Sequence, residues 1–196
     1  MLVPMRAILD AADKNGYAQG AFNVNAVCQV KAAVDVHQIL RSPAIIQGAD
    51  LANGFMGGRT DFANSTLEDK KAGAKNIGAA VKKYAADSDI PVALHLDHGK
   101  NFDSCIAAIE GGYTSVMIDG SSLPFDENVE LTREVVKYAH ERGVTVEGEL
   151  GVLAGVEDHV FAATSTYTNP LSAIDFFKKT GVDALAISYG ARHGAN

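Results

Sequence analysis

The sequence contains very little cysteine, and it lacks any apolar run of roughly 18 residues, the length that a transmembrane helix needs. Two cysteines are too few for a disulfide framework, so we expect Cys28 and Cys105 to be buried, reduced thiols. Arg6 and Asp10 interrupt the N-terminal segment and exclude the apolar core of a signal peptide. These absences predict a cytoplasmic protein with no membrane partner.

Basic residues are also scarce, with 17 lysines and arginines against 24 aspartates and glutamates, which gives a net charge of −7. A negative chain without a basic stripe is a poor partner for nucleic acid, because the phosphates repel it. The composition, 47% apolar and 21% charged, is typical of globular proteins and excludes disordered and collagen-like chains. The length of 196 residues predicts a single domain over 1–196.

Short apolar runs alternate with longer segments of helical period along the whole chain. Gly143 and Gly181 each end a helix, and proline at position 170 suits the first turn of one. Two longer loops are expected, at 51–65 and 151–169. The predicted strands are 19–24, 43–48, 91–97, 114–119, 144–150 and 183–188, and the predicted helices are 26–41, 68–86, 102–110, 126–142 and 170–180.

This alternation is typical of parallel strands joined by right-handed helical crossovers. Both a doubly wound open sheet and a (β/α)₈ TIM barrel fit the pattern. The first strand–helix turn lacks a G-x-G-x-x-G sequence, which argues against a dinucleotide-binding fold. A barrel needs eight units in about 250 residues, and only about six are visible. Either the sheet is open, or the chain lacks the last quarter of a barrel.

Five successive predicted strands place a polar residue on one face near their C-terminal ends. The five residues are Asn23, Gln47, Asp97, Asp119 and Glu149. The C-terminal ends of parallel strands are where α/β proteins bind ligands and react, so we expect these side chains to converge.

Several carboxylates can be buried together only when positive charge compensates them, and a bound cation is the natural candidate. His98 follows Asp97 directly, and His193 follows the sixth strand. Two histidines with Asp119 or Glu149 form a nitrogen and oxygen ligand set that suits a zinc-like ion. A fully hydrogen-bonded polar cluster without an ion is the alternative. No predicted strand carries a lysine, which disfavours Schiff-base chemistry.

Several motifs resemble those of the class II, metal-dependent fructose-bisphosphate aldolases, and the likeness is continuous over residues 1–196. Tagatose-bisphosphate aldolases share these motifs. The motifs are GAFN at 20–23, HLDHG at 95–99, MID at 117–119, EGELG at 147–151, GVED at 155–158 and GARHGAN at 190–196.

The resemblance implies a (β/α)₈ barrel, of which this chain holds about six βα units. It also implies reversible cleavage of fructose 1,6-bisphosphate to dihydroxyacetone phosphate and glyceraldehyde 3-phosphate. His98 and His193 resemble zinc ligands, and Asp119 and Glu149 resemble the carboxylates of a second or alternative metal position. The expected cofactor is Zn²⁺, which would polarise the ketone of the sugar phosphate, although cobalt or iron could occupy such a site.

The same resemblance assigns roles in proton transfer and substrate binding. Asp97 resembles the residue that exchanges a proton with the substrate hydroxyl, and Glu157 resembles a loop glutamate that transfers a proton at carbon. Asn23 and Gly194 match positions that contact the substrate, and Gln47 is a weaker match. His95 lies deeper on its strand, as a core or outer-shell histidine does.

The chain also departs from the family pattern. Ala49 stands where many members have a phosphate-binding serine, and Arg192 stands where a small polar residue is commoner. The family's remaining zinc histidine and last two strands have no counterpart in 1–196. We therefore expect a fragment of a homo-oligomeric enzyme, with low activity and poor solubility when isolated. A tagatose-bisphosphate aldolase and a non-catalytic remnant that acts as an interaction module are the alternatives.

Overall fold

The computed structural model describes the backbone of residues 1–152, 155–157, 160–162 and 166–190, and the side chains of 1–152 and 166–190. The helices are α1 (Met5–Asn15), α2 (Val27–Leu40), α3 (Asp50–Met56), α4 (Leu67–Ala86), α5 (Phe102–Glu110), α6 (Phe125–His140) and α7 (Pro170–Thr180), with a 3₁₀ turn at Phe62–Asn64. The strands are β1 (Ala21–Asn23), β2 (Ala44–Ala49), β3 (Val92–Gly99), β4 (Ser115–Ile118), β5 (Thr145–Leu150), β6 (Gly155–Glu157), β7 (Val160–Ala162) and β8 (Ala184–Ile187).

Six parallel strands form one sheet in the order β1-β2-β3-β4-β5-β8. The order never reverses, so the doubly wound alternative is wrong and the sheet is part of a (β/α)₈ barrel. Within the described residues, β1 and β8 each pair on one side only. The short strands β6 and β7 pair antiparallel inside the segment that was expected to be a loop.

An apolar cluster packs against each face of the sheet. On the outer face, strand residues such as Leu94 and Leu96 pack with the helices in the main apolar cluster. On the inner face, Ile45 of β2 packs with Met5 and Ile8 of α1 in a second cluster. Helix α1 therefore fills the N-terminal end of the barrel, in a segment for which no element was predicted from the sequence. Because α1 occupies that end, the polar residues can gather at the opposite, C-terminal end.

Helix α3 corrects the prediction of a loop at 51–65. Its seven residues are too few for a helix that is stable alone, so its stability comes from packing against α4. Gly73 of α4 allows this contact, because a Cβ there would lie 1.7 Å from the carbonyl oxygen of Asn53. The buried Asp50 at the start of α3 forms an ion pair with Lys70 of α4. Such contacts between distant segments leave no local periodic signal.

The prediction of two buried thiols is half wrong. Cys105 is buried, whereas Cys28 is exposed in the first turn of α2. The buried residues of α2 include Val30 and Val34, which recur at helical spacing. Cys28 precedes Val30 by two positions, about 200° around the helix, and so lies on the opposite side. None of the helices that the structure describes is long and apolar enough to cross a membrane.

Candidate metal centre and active site

An irregularity in β3 brings two neighbouring residues to the same side. Regular alternation would place His98 on the outer face with Leu94 and Leu96, opposite Asp97. The register with β4 shifts between Leu96 and Gly99, and His98 has a positive φ of 48°. This bulge turns the imidazole inward, so that Asp97 and His98 line one cleft. Strained residues of this kind cluster at active sites, although Arg41 at the C-terminus of α2 also has a positive φ.

Three side chains from separate strands meet at the C-terminal rim of the sheet. His98 of β3, Asp119 after β4 and Glu149 of β5 each offer a ligand atom within 4.8 Å of the others. The His98 Nδ1 atom lies 3.0 Å from Asp119 Oδ2 and 3.6 Å from Glu149 Oε2. Lys100 and Ser121 hold Asp119, with Lys100 Nζ 3.3 Å from Oδ2 and the Ser121 hydroxyl 2.6 Å from Oδ1.

Burial and mutual charge set the protonation of this cluster. Burial lowers the pKa of His98, but the hydrogen bond with Asp119 and the charge of Asp97 and its neighbours outweigh it and raise the pKa to about 9. Burial acts to raise the pKa of Asp119, yet hydrogen bonds with His98 and Ser121 hold it well below its usual range. Burial, together with the charge of Asp119, raises the pKa of Glu149 to about 7.

The donor set fits a divalent cation. Glu149 Oε2 is buried and accepts no hydrogen bond from any residue in the described part of the chain. Leaving a buried carboxylate oxygen unsatisfied is costly, and a cation would compensate it. One imidazole and two carboxylates are ligands that zinc accepts.

The proton-exchanging candidate lies beside the cluster. Asn23 of β1 donates from Nδ2 to Asp97 Oδ2 at 3.2 Å. A cleft of about 170 Å³ opens here, and its lining includes Asp97, Glu147 and Ser188. Burial and the charge of Asp97 raise the pKa of Glu147 to about 7. Gln47 is half-buried and pairs with His95 in register, so it lies one level below the rim.

The chain matches the family of class II fructose-bisphosphate aldolases over residues 3–196. The chain belongs to this aldolase family. Members of the family generally depend on a metal ion, in keeping with the cluster at the rim.

Individual relatives support the same assignment. The fructose-bisphosphate aldolase of Treponema pallidum is 48% identical in an alignment of 197 residues that covers 98% of this chain and 55% of the relative. That of Geobacillus stearothermophilus is 40% identical and is matched over 63% of its length. The crystal structure of the YdjI aldolase from Escherichia coli K12 superposes with a TM-score of 0.79 at 30% identity, over 100% of this chain and 63% of that one. The chain thus spans between about half and two thirds of the length of these aldolases.

The structure brings together five of the nine residues proposed for an aldolase site from the sequence. Asn23 contacts Asp97, and His98, Asp119 and Glu149 form the cluster. Gln47 lies deeper. His193 and Gly194 are outside the described residues, as is Arg192, and Glu157 lies in β6 with its side chain outside the description.

Sequence reasoning assigned no role to Glu147, Lys100 or Ser121. For Glu147 a signal existed, because it shares a strand face with Glu149 two positions later. The contacts of Lys100 and Ser121 with Asp119 depend on loops that follow β3 and β4, for which the sequence offers no periodic pattern.

Proposed function

We propose that this chain carries the metal centre and the proton-exchanging group of a fructose-bisphosphate aldolase. The reaction is the reversible cleavage of fructose 1,6-bisphosphate to dihydroxyacetone phosphate and glyceraldehyde 3-phosphate. The observation that carries the proposal is the cluster of His98, Asp119 and Glu149 beside Asp97, in a chain of the class II family.

The proposed cofactor is Zn²⁺. His98 and His193 would hold the catalytic ion, and Asp119 and Glu149 would supply a second or alternative position. When bound, the ion acts as a Lewis acid that polarises the ketone of the sugar phosphate. The unsatisfied Glu149 oxygen and the mixed nitrogen and oxygen ligand set support this assignment.

Asp97 is the proposed proton-exchanging residue. In cleavage its carboxylate accepts the proton of the C4 hydroxyl as the C3–C4 bond breaks. The aldehyde leaves, and the electron pair of the broken bond remains on the three-carbon ketone fragment. We propose that Glu157 then delivers a proton to C3, which completes dihydroxyacetone phosphate. The Asn23 amide, which donates to Asp97, supports this role by fixing the carboxylate.

Substrate contacts are proposed for Asn23, Gln47 and Gly194, of which Asn23 lies on β1 and Gln47 on β2. We further propose that the whole protein is a cytoplasmic homo-oligomer, as its family suggests.

The test is a coupled assay that follows dihydroxyacetone phosphate through NADH oxidation. The chain is assayed alone and as a chimera in which the remaining C-terminal part of the Treponema pallidum aldolase follows Asn196. We expect slow cleavage by the chain alone and a rise of at least tenfold in the chimera. A chelator should abolish both activities and Zn²⁺ should restore them.

Cleavage that resists the chelator, or a chimera that folds and binds zinc without cleaving, would refute the proposal. Repeating the assay with tagatose 1,6-bisphosphate compares kcat/KM for the two sugars and decides between the two substrates.

A further inference from the structure

A buried line of polar contacts runs beneath the metal cluster. Ser115 of β4 is fully buried, and its Oγ lies 2.8 Å from Nδ1 of His95. His95 of β3 is 2% exposed, and its Nε2 lies 3.4 Å from Oε2 of Glu147 on β5. Glu147 lines the same cleft as Asp97 and His98. These contacts therefore connect the barrel interior to the floor of the proposed active site.

The partners of His95 favour one position for its ring proton. Burial, with the nearby charge of His98, lowers the pKa of His95 to about 3, so its imidazole is neutral and donates from one nitrogen only. Nδ1 faces the Ser115 hydroxyl, which can donate a hydrogen bond, and Nε2 faces a carboxylate oxygen, so a proton on Nε2 gives both ring nitrogens a partner. Nδ1 then accepts from the Ser115 hydroxyl, a better partner at 2.8 Å than the Met5 sulfur at 3.7 Å.

We propose that His95 is a positioning residue for the proposed aldolase reaction, and that its Nε2–H group fixes the Glu147 carboxylate on the floor of the cleft beside Asp97. The inference rests on the proposed function and adds to it a buried group that touches no substrate. Glu147 is within two positions of Glu149 and faces the same side. Released from His95, its carboxylate could rotate toward the metal cluster or toward Asp97 and disturb the geometry of either.

The first test compares two amides at position 95. In His95→Gln the amide reaches about as far as Nε2 and can still donate to Glu147. In His95→Asn it reaches only as far as Nδ1, so the Ser115 contact survives and the Glu147 contact is lost. Outer-shell partners of a metal site contribute about 10- to 100-fold. We expect kcat of the chimera to fall by about that factor in His95→Asn, with KM within about twofold, and to recover to within about threefold in His95→Gln.

Leu94→Val is the matched control. Leu94 is buried on the same strand but belongs to the outer apolar cluster, so its truncation lowers stability without touching the cleft. Its kcat should stay at the wild-type value below the unfolding temperature. Equal kcat in His95→Asn and His95→Gln would overturn the inference, because a purely structural role does not depend on whether the side chain is long enough to contact Glu147.

The second test does not depend on turnover. Long-range ¹H–¹⁵N correlation spectra of the histidine-labelled 196-residue chain at pH 8 identify the His95 ring by its absence in His95→Gln. We expect the Nε2–H tautomer, with an Nδ1 shift that moves in Ser115→Ala. An Nδ1–H tautomer overturns the inference even if cleavage is observed. If neither the 196-residue chain nor the chimera cleaves the sugar, the proposed function fails. The tautomer alone then decides whether His95 donates to Glu147.

Discussion

Asp97 has two properties that suit it to proton exchange. It lines the cleft without belonging to the three-residue cluster, and it accepts a hydrogen bond from Asn23. A carboxylate in that position can exchange a proton with a substrate while the cluster holds a cation. The two tasks are therefore separable by mutation.

Asp97→Asn should remove turnover and spare metal binding. The amide keeps the size of the side chain but cannot accept the hydroxyl proton, and general base catalysis typically contributes about 10²- to 10⁴-fold. We expect kcat of the chimera to fall by that factor while the zinc content per chain, measured by elemental analysis, stays unchanged.

Asn23→Ala is compared with Asp97→Asn, since it removes the hydrogen bond to Asp97 but leaves the carboxylate in place. A smaller loss of kcat than in Asp97→Asn is expected. Near-normal kcat in Asp97→Asn would mean that another group exchanges the proton.

At the scale of elements, Gly73→Ala should separate α3 from α4. Alanine favours a helix over glycine by about 1 kcal/mol, but the added Cβ would lie 1.7 Å from a backbone oxygen of α3. The clash wins because the backbone cannot yield as a flexible side chain can, and overpacking costs about 1–3 kcal/mol. We expect the free energy of unfolding, measured with urea, to fall by about that amount.

Lys75→Ala is the control for this substitution, because Lys75 is exposed on the same helix. Its effect should stay within about 0.5 kcal/mol. A stabilised Gly73→Ala variant would show that α3 can shift without loss.

Asp183, which directly precedes β8, contacts three elements at the N-terminal end of the barrel. Its Oδ2 accepts from the Val146 amide at 2.8 Å and lies 2.9 Å from His140 Nε2 of α6. Arg6 of α1 donates to Oδ1 at 2.8 Å. Burial acts to raise the pKa of Asp183, but these hydrogen bonds outweigh it and lower the pKa.

This lowered pKa predicts a pH-dependent contribution to stability. The unfolded value is about 3.9, so the contribution is fully present above that pH and is lost as the pH falls through the lower folded value. We expect the difference in unfolding free energy between wild type and Asp183→Asn to be larger at pH 6 than at pH 3. Urea denaturation followed by circular dichroism measures it, and a difference that grows toward pH 3 would contradict the assignment.

The elements show which parts of the fold a sequence can predict. Strand alternation predicted the convergence of Asp97, Asp119 and Glu149, because period and strand direction are local properties. It did not predict that His98 turns inward, since that depends on a register shift against β4. Helix α3 was missed for the same reason, because its partner α4 supplies its stability.

At the scale of the whole molecule, two helices expose apolar faces near the edges of the sheet. On α2, Ile39 is 79% and Leu40 69% exposed. On α7, Leu171 is 77% and Phe177 53% exposed. Faces of this kind on a protein surface promote association. The unpaired edges of β1 and β8, as far as the structure describes the chain, add to that tendency.

We therefore expect the isolated 196-residue chain to self-associate and to bind the dye ANS. Ile39→Glu combined with Leu171→Glu should increase the monomer fraction in light scattering and lower the dye fluorescence. Ala72→Glu combined with Ala79→Glu adds the same charge to exposed positions of α4 and serves as the control. Equal gains in both double variants would attribute the effect to net charge instead of to the apolar faces.

The inward turn of His98 has one more consequence. Because Asp97 and His98 are consecutive, their Cα atoms are held about 3.8 Å apart by a single peptide unit. The spacing between a proposed acid–base group and a proposed ligand is thus covalent, whereas Asp119 and Glu149 reach the same place only through strand pairing. Any loosening of the sheet would first move Asp119 and Glu149 away from the site, whereas Asp97 and His98 would stay next to each other.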